Sequence, residues 1–331
     1  MPQPLDRLAA ALSAGPLVRH FDRLFRDHPD LHMKDMTVDE VGPGRRVKLG
    51  GKWVVNFGSD SFLGLDRHPK LHAAVRGGLD RWGTHNGSSR AFSSVASNVE
   101  AEDRVAAWLG TESALIYPSV TLANLGALPA LVTRHDVVVT DQYAHHSVQQ
   151  GVRLATAGGV RAATFAHNDP ADLGRVLRGL RPYRSAVVAV DGVYSMTGNL
   201  AALRELRAVA AANDAVLYVD DAHGTGVLGR AGRGTVLDAL GDYDNVLVVG
   251  SLSKAVSCLG GFVAGPARIG FLLKLRSGPL IFGGPVPPPY LDAVCAAVDI
   301  LASAEGDALR DTLRRNMARF SAGARARGVP V

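Results

Sequence analysis

Two carboxylates, a histidine and a lysine are the residues whose types and spacing could do chemistry. The segment VDDAHGTGVLG contains Asp220, Asp221 and His223, and SLSK places Lys254 further along the chain. A lysine is almost never fully buried unless it is paired, yet Lys254 closely follows the apolar run NVLVV. A lysine amine can form a Schiff base, and a carboxylate can keep a ring nitrogen protonated. Together these groups predict covalent amine chemistry.

Pyridoxal phosphate (PLP) is a ligand that needs both groups, because its protonated ring stabilises a carbanion next to nitrogen. Its phosphate also needs hydroxyl and backbone N–H donors, which Ser251 and the turn Ser119–Val120–Thr121 can supply. Each residue taken alone has a plainer explanation, such as a surface lysine, a histidine in a polar network or an aspartate that caps a helix. Their order and spacing together favour a PLP site.

A nicotinamide site is an alternative that the residues themselves suggest. Gly224, Gly226 and Gly229 follow a predicted strand with the spacing of the dinucleotide fingerprint. That fingerprint belongs directly in the turn after the strand, whereas here two carboxylates and a histidine intervene, and the carboxylates would repel a pyrophosphate. The next strand ends at Ser251 rather than in the acidic residue that would hold a ribose. The residues therefore favour PLP.

Four short β-branched runs position these residues, and each run ends in a polar side chain. Continuous apolar runs of this length are typical of strands buried on both faces of a parallel sheet. The segment LAALRELRAVAAAN has helical spacing and lies between the second and third runs, so strands and helices alternate. Ligands of such sheets bind at the carboxyl ends of the strands. The predicted strands are Asp136–Asp141, Ala186–Asp191, Ala215–Asp221 and Asn245–Ser251.

Turn-rich segments predict how the chain is divided. Gly42–Lys52 follows a helical N-terminal arm, Val99–Leu109 is predicted as a helix that Gly110 ends, and Gly283–Pro289 is predicted as a non-helical boundary. In a final helix, a basic face that contains Arg310 is predicted to be solvated. These boundaries divide the chain into an arm and connector at 1–50, a large domain at 51–289 that contains the predicted PLP site, and a C-terminal segment at 290–331.

Composition narrows the class of protein. Of the 331 residues, 47% are hydrophobic and 20% are charged, which is typical of a globular protein with a large core. The net charge of +5 is spread along the chain and does not indicate a nucleic-acid partner. Cys258 and Cys295 have the spacing of neither a disulfide framework nor a zinc site, and no metal site is predicted. The absence of an apparent signal peptide or membrane span predicts a cytoplasmic location.

The motifs resemble, in order, those of the α-oxoamine synthases, which are biosynthetic PLP-dependent enzymes of fold type I. The resemblance implies an α/β fold in which helices flank a mostly parallel seven-stranded sheet, with an N-terminal arm and a truncated small C-terminal domain. It also implies a homodimer whose active sites are shared between subunits. The resemblance runs from about Val54 to Pro289 and is carried by NFGSDSFLGL, GSSRAFSS, AAWLG, DQYAHHS, FAHND, DGVYSMTGNLA, VDDAHGTGVLGRAGRG and SLSKA.

The resemblance implies a role for each predicted site residue. Lys254 holds PLP as a Schiff base, and Asp220 pairs with the pyridine nitrogen. His223 and Ser195 lie near the 3-hydroxyl of the ring, and His145 stacks on the ring face. The residues implied to contact the phosphate or to support its turn are Ser251, Val120, Thr121 and Asn124.

The reaction that the resemblance implies is a decarboxylative condensation of a small amino acid with an acyl thioester, on CoA or on an acyl-carrier protein. The product is an α-amino ketone. Lys254 is expected to remove the α-proton, and Asp220 to stabilise the charge that develops. The alternatives are another reaction of the same fold, transamination or aldol cleavage, and a non-catalytic PLP-fold protein that binds or regulates.

Several positions depart from the family pattern. Asp60 stands in place of an asparagine that helps to hold the substrate carboxylate, and Asn98 in place of a histidine. Asp191 replaces a glutamate, Val120–Thr121 a glycine–aromatic pair, and Gly283–Gly284 a hydroxyl pair that reaches the partner subunit's phosphate. The sequence also ends where the small domain of the family has barely begun. These differences predict a divergent branch, for which a carrier-protein thioester is an alternative to CoA, and a chain that is either a fragment or a degenerate member.

Overall fold

The computed structural model describes residues 3–29 and 36–331, which fall into two units, Met1–Ser59 and Asp60–Val331. In the first unit, helices α1 (Pro4–Ser13) and α2 (Pro16–Asp27) both begin at a proline. Proline suits the first helical position, because its missing N–H would have no partner there. Three short antiparallel strands follow: β1 (Glu40–Val41), β2 (Arg46–Leu49) and β3 (Lys52–Val55). The division at 1–50, 51–289 and 290–331 stays a prediction.

The second unit contains seven strands and eleven helices in the part of the chain that is described. The strands are β4 (Ser113–Tyr117), β5 (Val137–Asp141), β6 (Arg161–Phe165), β7 (Ala186–Asp191), β8 (Ala215–Asp220), β9 (Val246–Ser251) and β10 (Gly261–Gly265). The helices are α3 (Pro69–Trp82), α4 (Ala96–Leu109), α5 (Val120–Leu131), α6 (His146–Ala157), α7 (Pro170–Gly179), α8 (Leu203–Ala211), α9 (Thr235–Leu240), α10 (Ala267–Arg276), α11 (Gly278–Phe282), α12 (Pro288–Leu301) and α13 (Ala304–Arg325).

These seven strands form one sheet in the order β4-β10-β9-β8-β7-β5-β6. Strand β10 runs antiparallel to both of its neighbours, and the other neighbouring pairs are parallel. The predicted fold class, an α/β protein with a mostly parallel seven-stranded sheet, is confirmed. The four predicted strands are β5, β7, β8 and β9, each within one residue of its expected bounds. Every residue of β5, β7 and β9 is buried, which explains their continuous apolar sequences.

Helices cover both faces of the sheet because strand side chains alternate between the faces. Helices α5 and α6 pack on one face, where Leu128 and Val148 meet Val138. Helices α7, α8 and α9 pack on the other face. Helices α3, α4 and α12 enclose a third apolar cluster beside β4 and β10. In the described ranges, no helix has both the length and the apolarity that a bilayer crossing requires.

Two local predictions are wrong. The non-helical boundary is shorter than Gly283–Pro289, because Pro288 and Pro289 occupy the first turn of α12, where proline is tolerated. The basic face of the last helix is not solvated throughout, since Arg310 is only 3% exposed. Its guanidinium donates to the carbonyl of Leu301 at 3.0 Å and pairs with Asp307. The predicted helix at Val99–Leu109 is present and begins earlier, and Gly110 ends it in a left-handed conformation (φ 83°).

Candidate active site

The carboxyl ends of four adjacent parallel strands put a row of polar residues on one edge of the sheet. Asp141, Asp191, Asp220 and Ser251 are the last residues of β5, β7, β8 and β9. Lys254 lies three residues beyond Ser251 and is half-buried. Its positive charge acts on the pKa values of both Asp191 and Asp220. The predicted lysine and carboxylate therefore share one region of this edge.

Asp220 is a buried carboxylate whose hydrogen-bond donors are neutral. It is 4% exposed, and it accepts hydrogen bonds from the amide of Asn124 at 2.7 Å and from the N–H of Ala222 at 3.2 Å. Burial raises its pKa, although these donors and the charge of Lys254 favour the ionised form. A buried carboxylate is stabilised by a cationic partner, and a protonated ring nitrogen would be one. The donor set around Asp220 thus fits the pyridinium of PLP.

Two histidines lie near this carboxylate. Burial and then the charge of Lys254 lower the pKa of His223 to about 4, while Asp60 acts in the opposite direction. His223 is therefore neutral at pH 7, and its ring lies 6.1 Å from the ring of Phe62. His145 is exposed, and its nitrogen Nδ1 accepts a hydrogen bond from the backbone N–H of Ser147 at the start of α6. His145 is close enough to Asp220 and His223 to be among the groups that influence their pKa values.

Asp191 is tied to the histidine segment through the backbone. Its carboxylate accepts a hydrogen bond from the N–H of His145 at 3.0 Å. Burial, followed by the charge of Asp220, raises the pKa of Asp191 to about 8. The edge thus holds two carboxylates whose environments both disfavour the charged form, which suits a ligand that brings positive charge.

A cradle for an anion lies at the start of α5. Ser119 caps this helix by accepting a hydrogen bond from the N–H of Leu122, and Val120 and Thr121 form its first turn. Backbone N–H groups at such a helix start bind phosphate. A Cβ atom at Gly261 would lie 2.6 Å from the backbone nitrogen of Val120, so this approach needs glycine. The helix start and the hydroxyl at the end of β9 fit the phosphate of PLP.

Ser195 is a predicted site residue for which the described part of the chain shows no hydrogen bond to the other predicted residues. It is exposed and lies in the segment between Val193 and Leu200, two residues that pair in an antiparallel β-bridge. Its hydroxyl makes no hydrogen bond within residues 3–29 and 36–331. Asn124 also differs from expectation, because its side chain binds Asp220 and Ser147 rather than the turn at Ser119.

The glycines that suggested a dinucleotide fingerprint have a packing role. Gly226 has φ +85°, and a Cβ there would lie 2.7 Å from the Cβ of Ala255, next to Lys254. Its backbone N–H donates to the carbonyl of Gly232 at 2.7 Å. The motif therefore allows the segment after β8 to pack closely beside the lysine segment, and this N–H is used within the protein.

A buried ion pair and a buried hydroxyl were not predicted from the sequence. Arg90 and Glu102 pair with side chains 6% and 7% exposed, and Glu102 also accepts from the N–H of Ile116 at 2.7 Å. Ser147 is 2% exposed and bonded to Asn124. Two signals in the sequence could have identified these features. One is a charged residue inside the predicted helix at Val99–Leu109, and the other is a serine two positions after His145.

Comparisons with known proteins agree with this geometry. The model of the aminotransferase class I and II family matches residues 52–331. The chain is 41% identical to an 8-amino-7-oxononanoate synthase of Geobacter sulfurreducens over 280 residues, 84% of this chain and 70% of that one. It is 38% identical over 334 residues to a putative 8-amino-7-oxononanoate synthase of Thermosynechococcus vestitus, which covers 100% of this chain and 81% of that one.

Solved structures show the same architecture. The serine palmitoyltransferase of Sphingomonas wittichii superimposes with a TM-score of 0.84 at 29% identity, covering 94% of this chain and 79% of that chain. A structure of serine palmitoyltransferase with PLP superimposes with a TM-score of 0.84 at 28% identity and the same coverage, 94% and 79%. An 8-amino-7-oxononanoate synthase of Francisella tularensis, at 24% identity and a TM-score of 0.70, shares the fold.

Proposed function

Because the chain belongs to the aminotransferase class I and II family, and within it to the PLP-dependent α-oxoamine synthases, we propose that it joins an amino acid to an acyl thioester with loss of carbon dioxide. The observation that carries the proposal is the buried Asp220, with neutral donors only, on the sheet edge that also holds Lys254. Bound PLP supplies an electron sink for the charge left when the α-proton departs.

Different side chains of the candidate site are proposed to bind the cofactor and to transfer the proton. The amine of Lys254 would hold the cofactor through its carbonyl carbon, and it would take the α-proton of the amino acid. Asp220 keeps a proton on the ring nitrogen, which requires the negative charge of its carboxylate. Neutral His223 would hold the cofactor ring through a hydrogen bond, and His145 would hold it by stacking. Ser251 and the backbone of Val120 and Thr121 hold the phosphate.

The substrates follow from the product that the relatives' names describe. In 8-amino-7-oxononanoate, the bond between C7 and C8 joins a seven-carbon ω-carboxyacyl group to a two-carbon unit that bears the amine. Alanine gives that unit when it loses its carboxylate. We therefore propose alanine and a seven-carbon ω-carboxyacyl thioester as substrates. Serine is the alternative, because the solved structures most like this chain include serine palmitoyltransferases.

The first experiment tests the cofactor site. Borohydride treatment of the PLP-loaded protein, followed by peptide mass spectrometry, should place the reduced cofactor on Lys254. Lys254→Ala should abolish the adduct and the absorbance of the bound cofactor. A reduced adduct on another lysine would refute the assignment of the site.

The second experiment tests the reaction. Alanine labelled at its carboxyl carbon should release labelled carbon dioxide only when the acyl thioester is present, with serine as the parallel substrate. Running each assay with a CoA thioester and a carrier-protein thioester distinguishes the two carriers. Turnover without thioester would favour transamination or aldol cleavage. PLP binding without turnover of any substrate would favour a binding or regulatory protein.

We also propose that the chain acts as a homodimer in the cytoplasm. Phe92, Met196 and Phe282 are 89%, 93% and 76% exposed, and large apolar side chains at this exposure are typical of an interaction surface. Cys258 and Cys295 are free thiols, as is usual in a reducing compartment. Light scattering should give twice the mass of the chain. A monomer that still binds PLP tightly would contradict the dimer.

A further inference from the structure

A buried hydrogen-bond network links Asp220 to His145. Asn124 lies at its centre and is fully buried. Its Nδ2 donates to Asp220 at 2.7 Å and to the hydroxyl of Ser147 at 2.8 Å, and its Oδ1 accepts from the hydroxyl of Tyr218 at 2.8 Å. Both N–H bonds of the amide group are therefore used, and its oxygen is occupied. The orientation of the amide follows, because the reverse orientation would direct its oxygen at the carboxylate.

This orientation determines where the proton of His145 lies. The hydroxyl of Ser147 accepts a hydrogen bond from Asn124, so its own proton is available for Nδ1 of His145, 2.7 Å away. The backbone N–H of Ser147 is directed at the same nitrogen at 3.3 Å. A ring nitrogen that two donors approach carries a lone pair and no proton. The hydrogen-bond network therefore assigns the ring proton to Nε2.

We infer that Ser147 and Asn124 are positioning residues, which hold His145 as its Nε2–H tautomer and orient the carboxylate of Asp220. The catalytic consequence rests on the proposed function, whereas the tautomer does not. With Nδ1 occupied, His145 presents a neutral ring and one donor, Nε2–H, to whatever binds at this edge of the sheet. The same amide that fixes this tautomer also directs Asp220, so the network couples the two residues.

The chain offers a matched control for Ser147. Ser97 is also 2% exposed and is also the second residue of its helix, α4, but its hydroxyl has no partner among the described residues. Ser147→Ala and Ser97→Ala therefore remove the same atom from similar positions. Only the first variant removes the hydrogen bonds to Asn124 and His145.

The experiment measures the tautomer directly by ¹⁵N NMR of the PLP-loaded protein with labelled histidine, with the signals of His145 assigned from a His145→Phe variant. The unsubstituted protein and Ser97→Ala should show a pyridine-like Nδ1 and a pyrrole-like Nε2. Ser147→Ala should lose this preference and turn over about ten- to a hundredfold more slowly, since a hydrogen bond that holds a reacting group is removed. Ser147→Thr should restore both.

A protonated Nδ1 in the unsubstituted protein overturns the inference, whether or not any variant folds. It is also overturned if Ser147→Ala keeps the tautomer and matches Ser97→Ala in turnover. If the predicted tautomer is present but no thioester supports turnover, the proposed function fails, while the assignment of the ring proton stands.

Discussion

At the scale of single residues, Asp220 and Asp221 have the same side chain and opposite surroundings. Asp220 ends β8 and is bonded to Asn124 on the side of the candidate site. The carboxylate of Asp221 is bound instead by Thr235, whose N–H donates at 2.9 Å and whose hydroxyl donates at 2.6 Å. A Cβ at Gly192 or Gly224 would lie within 2.4 Å of it. Because side chains alternate between the two faces of a strand, the carboxylate of Asp220 lies in the candidate site and that of Asp221 lies against the turn before α9.

Asp220→Asn should slow exchange of the substrate α-proton by roughly a hundredfold, the usual effect of losing one preorganised electrostatic group. The amide cannot supply the negative charge that holds a proton on the ring nitrogen. The fold should be retained, because the amide oxygen can still accept from Asn124, although the hydrogen bond from the N–H of Ala222 is lost. Deuterium exchange into the amino acid, followed by NMR, measures the rate without requiring the thioester.

Asp221→Asn is the matched control, with the opposite expected pattern. Its exchange rate should stay close to that of the unsubstituted protein. Its free energy of unfolding should fall by about 1–3 kcal/mol, because one of the two acceptor oxygens facing Thr235 is lost in a buried site. Small and equal rate effects at both positions would mean that Asp220 only caps local structure.

At the scale of elements, a buried ion pair joins the 83–95 loop to α4 and β4. Arg90 binds Glu102 through its two terminal guanidinium nitrogens, Nη1 and Nη2, and Nη1 also donates to the carbonyl of Ile116 at 3.2 Å. Glu102 accepts from the N–H of the same residue at 2.7 Å. Both backbone groups of Ile116 are therefore held shortly before the cradle at the start of α5. Removing one partner would leave the other charge buried without compensation.

Glu102→Gln should accordingly lower the free energy of unfolding by about 3–5 kcal/mol, measured by urea titration. The double variant Arg90→Met, Glu102→Gln should lose less than Glu102→Gln alone, because no buried charge is left unpaired and the amide oxygen at position 102 can still accept from the N–H of Ile116. If the double variant is the less stable of the two, the cost of an unpaired buried charge does not explain the effect of Glu102→Gln.

The approach of β10 to α5 gives another prediction. Gly261→Ala would place a Cβ 2.6 Å from the nitrogen of Val120, so the first turn of α5 must move. PLP affinity, measured by equilibrium dialysis, should fall at least about tenfold, because the backbone donors to the phosphate are displaced. Gly77→Ala is the control, since a Cβ at Gly77 of α3 would meet nothing within 4 Å. Equal PLP affinities in the two variants would show that the start of α5 does not bind the phosphate.

At the scale of the whole molecule, the buried carboxylates make stability depend on pH. Burial raises the pKa of Asp221 to about 7 and that of Asp191 to about 8, and it also raises that of Asp220. A raised carboxyl pKa contributes stability that is present below about pH 4 and is lost as the pH rises through the folded-state value. His223, with its pKa lowered to about 4, acts in the opposite direction only up to about pH 6.5.

The PLP-free protein should therefore lose stability between about pH 6.5 and 8, where the carboxylates act without opposition from His223. Urea titrations across this range measure the change. Asp191→Asn should make the free energy of unfolding depend less on pH, because it removes the carboxyl group with the highest pKa in this range. A stability that rises from pH 6.5 to 8 would show that these carboxyl groups are already ionised in the folded protein.

The local sequence was sufficient to predict four strands of the large sheet and the candidate site residues near their ends. β5, β7, β8 and β9 are short apolar runs because they are buried on both faces, and each ends in a polar residue that marks the edge of the sheet. Asp220 ends β8, and His223 and Lys254 each lie three residues beyond the end of a strand, so predicting the strands also predicted where these residues lie. Such signals are contained within about ten residues of the chain, which is why sequence alone could show them.

Tertiary structure alone decided which side chains hold these residues in place. Asn124 meets Asp220 and Ser147 only because α5 and α6 pack on the face of the sheet that carries the end of β8. Gly261 lies against Val120 only because β10 runs antiparallel between β4 and β9. These partners are distant in sequence, and no local pattern encodes the order of strands that makes them neighbours. Packing determines that order through burial summed over the whole core, so the supporting contacts became visible only in the folded chain.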